Sequence, residues 1–288
     1  MRVLKGAEVS AKIKEEVQAA LAKCKGAAPK LAIIRVGENP DDMSYERGAT
    51  KKMENFGLRV QSYVYPADIT DADFKAEFTK INEDPDVTGI LMLRPLPKQI
   101  CEKDIEGMID PAKDLDGISP VNIAKVFEGD DSGFAPCTAE AVIEVLKAAE
   151  IPMTGKRVTI VGRSMVVGKP LSMLMVKENA TVTICHTRTK DMPSVVKEAD
   201  IVIVAAGRAG VVDDTYIGDN DEWLMPVYCL KGKDEMLEGT GKCKGTMVHQ
   251  GDKIGQFRIM ESMPLLIFDE VETFGNKDRG GFGTTGER

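Results

Sequence analysis

Gly162, Ser164 and Gly168 stand in the stretch VTIVGRSMVVGKPL as G-x-S-x-x-x-G, between an apolar run that reads as a buried strand and a segment with helical periodicity. Such a turn suits the binding of a phosphate: small residues let the backbone come close, and the unpaired N–H groups at a helix start face the anion. The spacing is wider than the usual dinucleotide pattern G-x-G-x-x-G, and it also suits an ordinary strand–helix turn. Arg163 lies in the turn, and the next strand ends in CHTRT, with Thr187 and Arg188. An acidic residue at that strand end would hold a ribose hydroxyl, whereas Arg and Thr suit a 2′-phosphate, so these residues favour NADP over NAD. Read alone, Arg188 is equally compatible with a solvated surface arginine.

The elements that must position these residues follow from the spacing of apolar side chains. RVTIVGRS, ATVTICHT and DIVIVAAG read as strands, separated by the helices GKPLSMLMVKEN and MPSVVKEA. Strand–helix units in series are the mark of a Rossmann-like half. Thr138 is the expected N-cap of a helix over AEAVIEVLKAAE that precedes them.

Nearer the N-terminus, Val9, Ile13, Val17, Leu21 and Cys24 fall at helical spacing, with Gly26 as the expected stop. KLAIIRVG (30–37), LRVQSYVY (58–65) and VTGILML (87–93) read as strands, and the segment from Asp42 to Phe56 as a helix. Thr70 and Asp73 resemble a capping box before a helix whose one face carries Phe74, Phe78 and Ile81. Strands joined through helices pair in parallel, so this region is an α/β layer structure as well. DPAKDLDGISPVNIAKVFEGDDSGFAPCT has no strong period and reads as a connection that holds binding loops. Beyond Gly210 the short apolar pieces, broken by glycine and charge, give no order of elements.

Composition narrows the function classes. A chain of 288 residues has room for two ordinary domains, and 43% hydrophobic with 29% charged residues is a globular composition. The formal net charge of -8 points away from nucleic acid. No apolar run approaches a membrane span, and the N-terminus lacks a secretory pattern, so a cytoplasmic protein without a membrane partner is expected. Six cysteines without C-x-x-C spacing and two histidines argue against a metal site or a disulfide framework.

Taken in order, GENP, GILMLRPLP, KDLDGISPVN, FAPCTAEAV, GKRVTIVGRSMVVGKPLSML, ATVTICHTRT and ADIVIVAAG resemble the methylenetetrahydrofolate dehydrogenase/methenyltetrahydrofolate cyclohydrolase family over about Leu31 to Gly210. The resemblance implies an α/β subunit, usually a homodimer. It is expected to have an N-terminal catalytic domain (residues 1–137), a Rossmann-like NADP-binding domain (138–270) with a folate cleft between them, and a C-terminal segment (271–288) returning to that cleft. Members oxidise 5,10-methylenetetrahydrofolate to the 5,10-methenyl cation in one-carbon metabolism, and most then hydrolyse the cation to 10-formyltetrahydrofolate. Carried over residue by residue, Tyr45 lies against the folate and Asp116 of the K-D-x-D-G motif holds the pterin. Pro95, Gly280 and Gly281 are expected at the substrate. Gly162, Arg163, Ser164, Gly168, Thr187, Arg188 and Gly207 are expected at the cofactor. Gly280, Gly281 and Gly283 keep only the G-G-x-G skeleton of the family's C-terminal loop, without its prolines.

Two departures bear on the chemistry. The family places a catalytic lysine four residues after the tyrosine, where this chain has Ala49, and a glutamine in G-I-L-V-Q-L-P-L-P, where this chain has Leu93. Hydride transfer from the methylene carbon to the nicotinamide asks for alignment, which survives such changes. Hydrolysis of the methenyl cation needs an activated water and a moving proton, which alanine and leucine cannot supply. Dehydrogenase activity with absent or weak cyclohydrolase activity is therefore expected. Alternatives are rescue by Lys52, three residues after Ala49 on a helix, a non-catalytic folate- or nucleotide-binding protein, and a dehydrogenase for another small substrate. Arg94, next to the lost glutamine, is expected on the opposite sheet face, in a structural ion pair.

Overall fold

The structure is a computed structural model that describes residues 2–207, 211, 212, 216 and 224–227. The chain divides into two compact units, one of Ser10–Ala141 and one that joins the residues through Val9 to the chain from Val142 onward.

In the first unit, β2 (Lys30–Val36) lies between β3 (Arg59–Tyr65) and β4 (Gly89–Met92), all parallel. Every residue of β2 is buried, as a central strand covered on both faces requires. Its alternating side chains separate two clusters. Ala32, Ile34 and Val36 pack with Phe74, Phe78 and Ile81 of α3 (Asp71–Glu83) and Ile105 of α4 (Glu102–Met108). Leu31 and Ile33 point the other way, toward α2 (Pro40–Phe56). Thr70 caps α3 as expected: its Oγ1 accepts from Asp73 N at 3.1 Å and donates to Asp73 Oδ2 at 2.7 Å.

The second unit holds β5 (Arg157–Val161) between β6 (Thr181–Cys185) and β7 (Ile201–Val204), again parallel, with α7 (Gly168–Lys177) and α8 (Met192–Lys197) as the crossovers. α7 buries Leu171 and Met175. This is the α/β architecture of two parallel sheets that the strand–helix alternation predicts.

Several boundaries differ from expectation. α1 (Gly6–Leu21) ends before Cys24, which is exposed, so the helical spacing outruns the helix. α6 (Cys137–Ala148) starts ahead of Thr138, which is inside its first turn rather than the cap. α5 (Pro120–Glu128) occupies the stretch read as a connection; Ser119 Oγ accepts from Asn122 N at 3.1 Å and Pro120 presets the first turn. β1 (Arg2–Lys5) has no periodic signal of its own and is a strand because it pairs in parallel with β8 (Leu224–Val227). No helix among the described residues is long and apolar enough to cross a membrane.

Candidate active site

α2 is set by local chemistry at both ends. Asn39 Oδ1 accepts from Asp41 N at 2.9 Å, Pro40 fits the first turn, and Gly57 at φ +95° closes the helix in the left-handed conformation. Arg35 of β2 ties the helix to the sheet, its Nε 2.6 Å from Glu46 Oε2. Burial works to raise the Glu46 carboxyl, yet hydrogen bonds from Ser62 and Arg35 hold it below the ordinary carboxylate range. Glu46 is thereby an anchor for its neighbour, Tyr45.

Tyr45, Ala49 and Met53 follow at successive turns and pack against Leu31, Ile33 and Leu93. The two positions that the family pattern makes polar therefore meet in one apolar cluster, with Leu93 at 8% exposure. Lys52 is exposed, and Met53 continues the face that Ala49 starts. A four-residue step tracks a helix face more closely than the three-residue step from Ala49 to Lys52.

The loop that carries Asp116 runs beside β4. Ile90 N donates to Lys113 O at 2.7 Å, and Leu115 N to Ile90 O at 3.4 Å. Gly89 makes room for Leu115, since a Cβ there would come within 2.5 Å of Leu115 Cδ1. Leu115 joins the Tyr45–Ala49–Leu93 cluster, which places the adjoining Asp116 at its border. Asp114, 1% exposed, organises the loop: its carboxylate accepts from Ile118 N at 3.0 Å, Ser119 N at 2.8 Å and Asn122 Nδ2 at 2.9 Å. Asp114→Ala strands two buried backbone N–H groups and is expected to cost about 3 kcal/mol. The urea midpoint checks this, and an unshifted midpoint contradicts it.

Asp116 is held from two sides. Cys137 N donates to Oδ1 at 3.4 Å, and Arg94 Nη2 lies 3.4 Å from Oδ2. Arg94 Nη1 also lies 3.3 Å from Glu102 Oε1 and 3.8 Å from Glu106 Oε1. The expected structural ion pair of Arg94 is formed, with Glu102 and Glu106 of α4, whose Ile105 packs on the sheet face opposite Leu93. The contact to Asp116 is the part that strand alternation does not predict, because β4 ends at Met92. Pro95, which follows, is exposed. Although Cys137 is an exposed residue, desolvation of its sulfur and the Asp116 carboxylate push its thiol up to about 12. At neutral pH it is a thiol, not a nucleophilic thiolate.

In the second unit the strand ends align in register, Val161 opposite both Cys185 and Val204. Gly162, Thr187 with Arg188, and Gly207 thus follow neighbouring strand ends on one edge of the sheet, where α/β proteins place ligands. Gly162 has φ +136°, and a Cβ on it would come within 2.3 Å of Ala205 O. A Cβ on Gly168 would come within 2.1 Å of Gly162 O, so both glycines are demanded by close backbone approach. Ser164 Oγ accepts from Val167 N at 3.1 Å, and Val167 gives α7 no side-chain cap. Arg163, Ser164, Thr187 and Arg188 are exposed around this edge, and His186 Nδ1 orders the second turn by accepting from Arg188 N at 3.1 Å. An uncapped helix start, a close glycine turn and two arginines fit a dinucleotide phosphate.

Tyr45 and Asp116 come to one region with Ala49 and Leu93, and the seven cofactor candidates come to one edge of the other sheet. Gly280 and Gly281 lie outside the described residues. Sequence reading missed Asp114, whose signal is the first acid of K-D-x-D-G, and Glu102 and Glu106, which carry no motif.

Residues 4–116 match the family described as tetrahydrofolate dehydrogenase/cyclohydrolase, catalytic domain, and residues 136–227 the family's NAD(P)-binding domain. The chain is 48% identical over 220 residues to the bifunctional protein FolD of Clostridioides difficile (strain 630), covering 76% of this chain and 77% of that one. It is similar to the structure of the bifunctional FolD methylenetetrahydrofolate dehydrogenase/cyclohydrolase from Campylobacter jejuni, with TM-score 0.73, 38% identity, and coverage of 76% of this chain and 78% of that one. The Trypanosoma brucei N5,N10-methylenetetrahydrofolate dehydrogenase-cyclohydrolase (FolD), solved with NADP cofactor and inhibitor, gives TM-score 0.68 and 32% identity over 74% of this chain and 72% of that one.

Proposed function

The chain belongs to the tetrahydrofolate dehydrogenase/cyclohydrolase family, and from that premise we propose that it is an NADP-dependent methylenetetrahydrofolate dehydrogenase whose cyclohydrolase activity is absent or weak. The observation that carries the second half is the packing of Ala49 and Leu93 into one apolar cluster against Tyr45. NADP, when bound, supplies the acceptor for a hydride from the methylene carbon, a step in which no proton is transferred. Gly162, Gly168 and Ser164 would receive its phosphates, and Arg163, Thr187 and Arg188 its 2′-phosphate, with Gly207 at the adjoining strand end.

Asp116 holds the pterin and Tyr45 covers the folate, both by positioning rather than by moving a proton. Ring opening of the methenyl cation needs a general base or acid within reach of a water. Apart from the phenol of Tyr45, which covers the folate, the Ala49–Leu93 cluster offers none, and Lys52 is exposed while Met53 holds the next turn of that face. The same reading takes Pro95, Gly280 and Gly281 as substrate contacts and the enzyme as a cytoplasmic homodimer that acts on one-carbon derivatives of tetrahydrofolate.

Two assays on one purified sample test this. NADP reduction with methylenetetrahydrofolate is followed at the nicotinamide band, and decay of added methenyltetrahydrofolate at its own absorbance against a buffer blank. Turnover in the first with blank-rate decay in the second is the expected pair. Enzyme-dependent decay overturns the cyclohydrolase claim, and its loss in Lys52→Ala would assign the work to Lys52.

A further inference from the structure

The guanidinium of Arg94 lies against the Asp116 carboxylate and is drawn in three directions at once, with Asp116, Glu102 and Glu106 around it. Its side chain is 20% exposed and that of Asp116 is 24% exposed, so the pair is shielded without being closed to a ligand. Glu102 also accepts from Leu96 N at 3.3 Å, which links α4 to the chain just past Arg94. The guanidinium is therefore braced by α4 on one side and presented to Asp116 on the other.

We propose that Arg94 is the positioning residue for folate binding: braced by Glu102 and Glu106, it fixes Asp116 Oδ2 so that the carboxylate is presented to the pterin in a single orientation. The proposal rests on the reading of Asp116 as the pterin-holding residue. A carboxylate on a short side chain rotates about its last torsion, and a ligand that needs it in one orientation loses affinity when it is free to turn. Cys137 N steadies Oδ1 by a single bond of 3.4 Å, and Arg94 supplies the second point that stops the rotation. An arginine suits this task because its planar fork serves several carboxylates while its charge stays constant. For the same reason it cannot take the proton that methenyl hydrolysis requires, so it positions the substrate without restoring the lost step.

The test measures KM for methylenetetrahydrofolate, KM for NADP and kcat in Arg94→Leu, Arg94→Gln, Arg94→Lys and Asp116→Asn on the full chain. Arg94→Leu and Arg94→Gln are expected to raise the folate KM about ten-fold, with the NADP KM within about two-fold of the parent. Arg94→Lys, which keeps the charge, is expected to recover most of that loss, to within about three-fold. In Arg94→Gln/Asp116→Asn the folate KM is expected to match that of Asp116→Asn alone, since one residue acts through the other. Arg94→Gln retains a donor among the three carboxylates and carries the test if Arg94→Leu does not fold. A raised folate KM in Asp116→Asn with no change in Arg94→Gln overturns the role of Arg94. An unchanged folate KM in Asp116→Asn instead overturns the reading of Asp116 on which it rests.

Discussion

Ala49→Lys combined with Leu93→Gln is expected to raise enzyme-dependent hydrolysis of methenyltetrahydrofolate by about 10²-fold over the parent, the lower range of what a positioned acid–base group contributes. The two positions already belong to one cluster with Tyr45, so long side chains placed there, a lysine and a glutamine, are expected to reach one another. The pair should act as a unit: a lysine introduced alone lacks the amide partner that a glutamine at position 93 of the same cluster would supply. Either single variant should therefore fall well short of the double. Replacing a side chain at 8% exposure with glutamine also carries a stability cost, expected at about 2 kcal/mol. Dehydrogenase turnover serves as the control for folding. A double variant that still reduces NADP yet hydrolyses no faster than the parent would show that the apolar pair is not what withholds the activity.

Gly162→Ala is expected to remove NADP binding and to destabilise the second unit by at least about 4 kcal/mol. The backbone there has φ +136°, and the new Cβ would come within 2.3 Å of Ala205 O and 2.8 Å of Ala205 C. Neither side can yield easily, because Gly162 N donates to Cys185 O at 2.8 Å and Ala205 N to Val161 O at 2.8 Å. Gly155→Ala is the comparison: φ is +75°, but nothing lies within 4 Å of the added carbon. Only the conformational cost of a left-handed alanine applies, about 1–2 kcal/mol. Thermal melts with and without NADP read both effects. Retention of the NADP-induced shift in Gly162→Ala would mean that the turn after β5 is not where the phosphates sit.

The elements were legible where burial imposes a period. β2 reads from its apolar run Leu31–Ile34 because both faces are covered, and the helix over Asp71–Glu83 reads from its cap and from Phe74, Phe78 and Ile81. α5 was hidden by its setting: of its nine residues, Pro120 to Glu128, the apolar Val121, Ile123 and Phe127 are exposed while Asn122 is buried, so its apolar side chains do not mark the face that packs. β1 was hidden for another reason, since a four-residue strand exists only through its partner β8.

The candidate site divides in the same way. The residue types at 45, 49, 93 and 116, and the glycines at 162 and 168, belong to the sequence, and with them the absence of a proton-transfer group at two positions. Those facts depend on chemical identity alone. That Ala49 and Leu93 fall in one cluster, that Met53 rather than Lys52 continues the face of Ala49, and that Arg94 reaches Asp116 were decided by tertiary structure. The physical reason is that a strand's alternation is a rule only while the strand lasts: β4 stops at Met92, and beyond it the carboxylates of Asp116, Glu102 and Glu106 determine where the guanidinium goes.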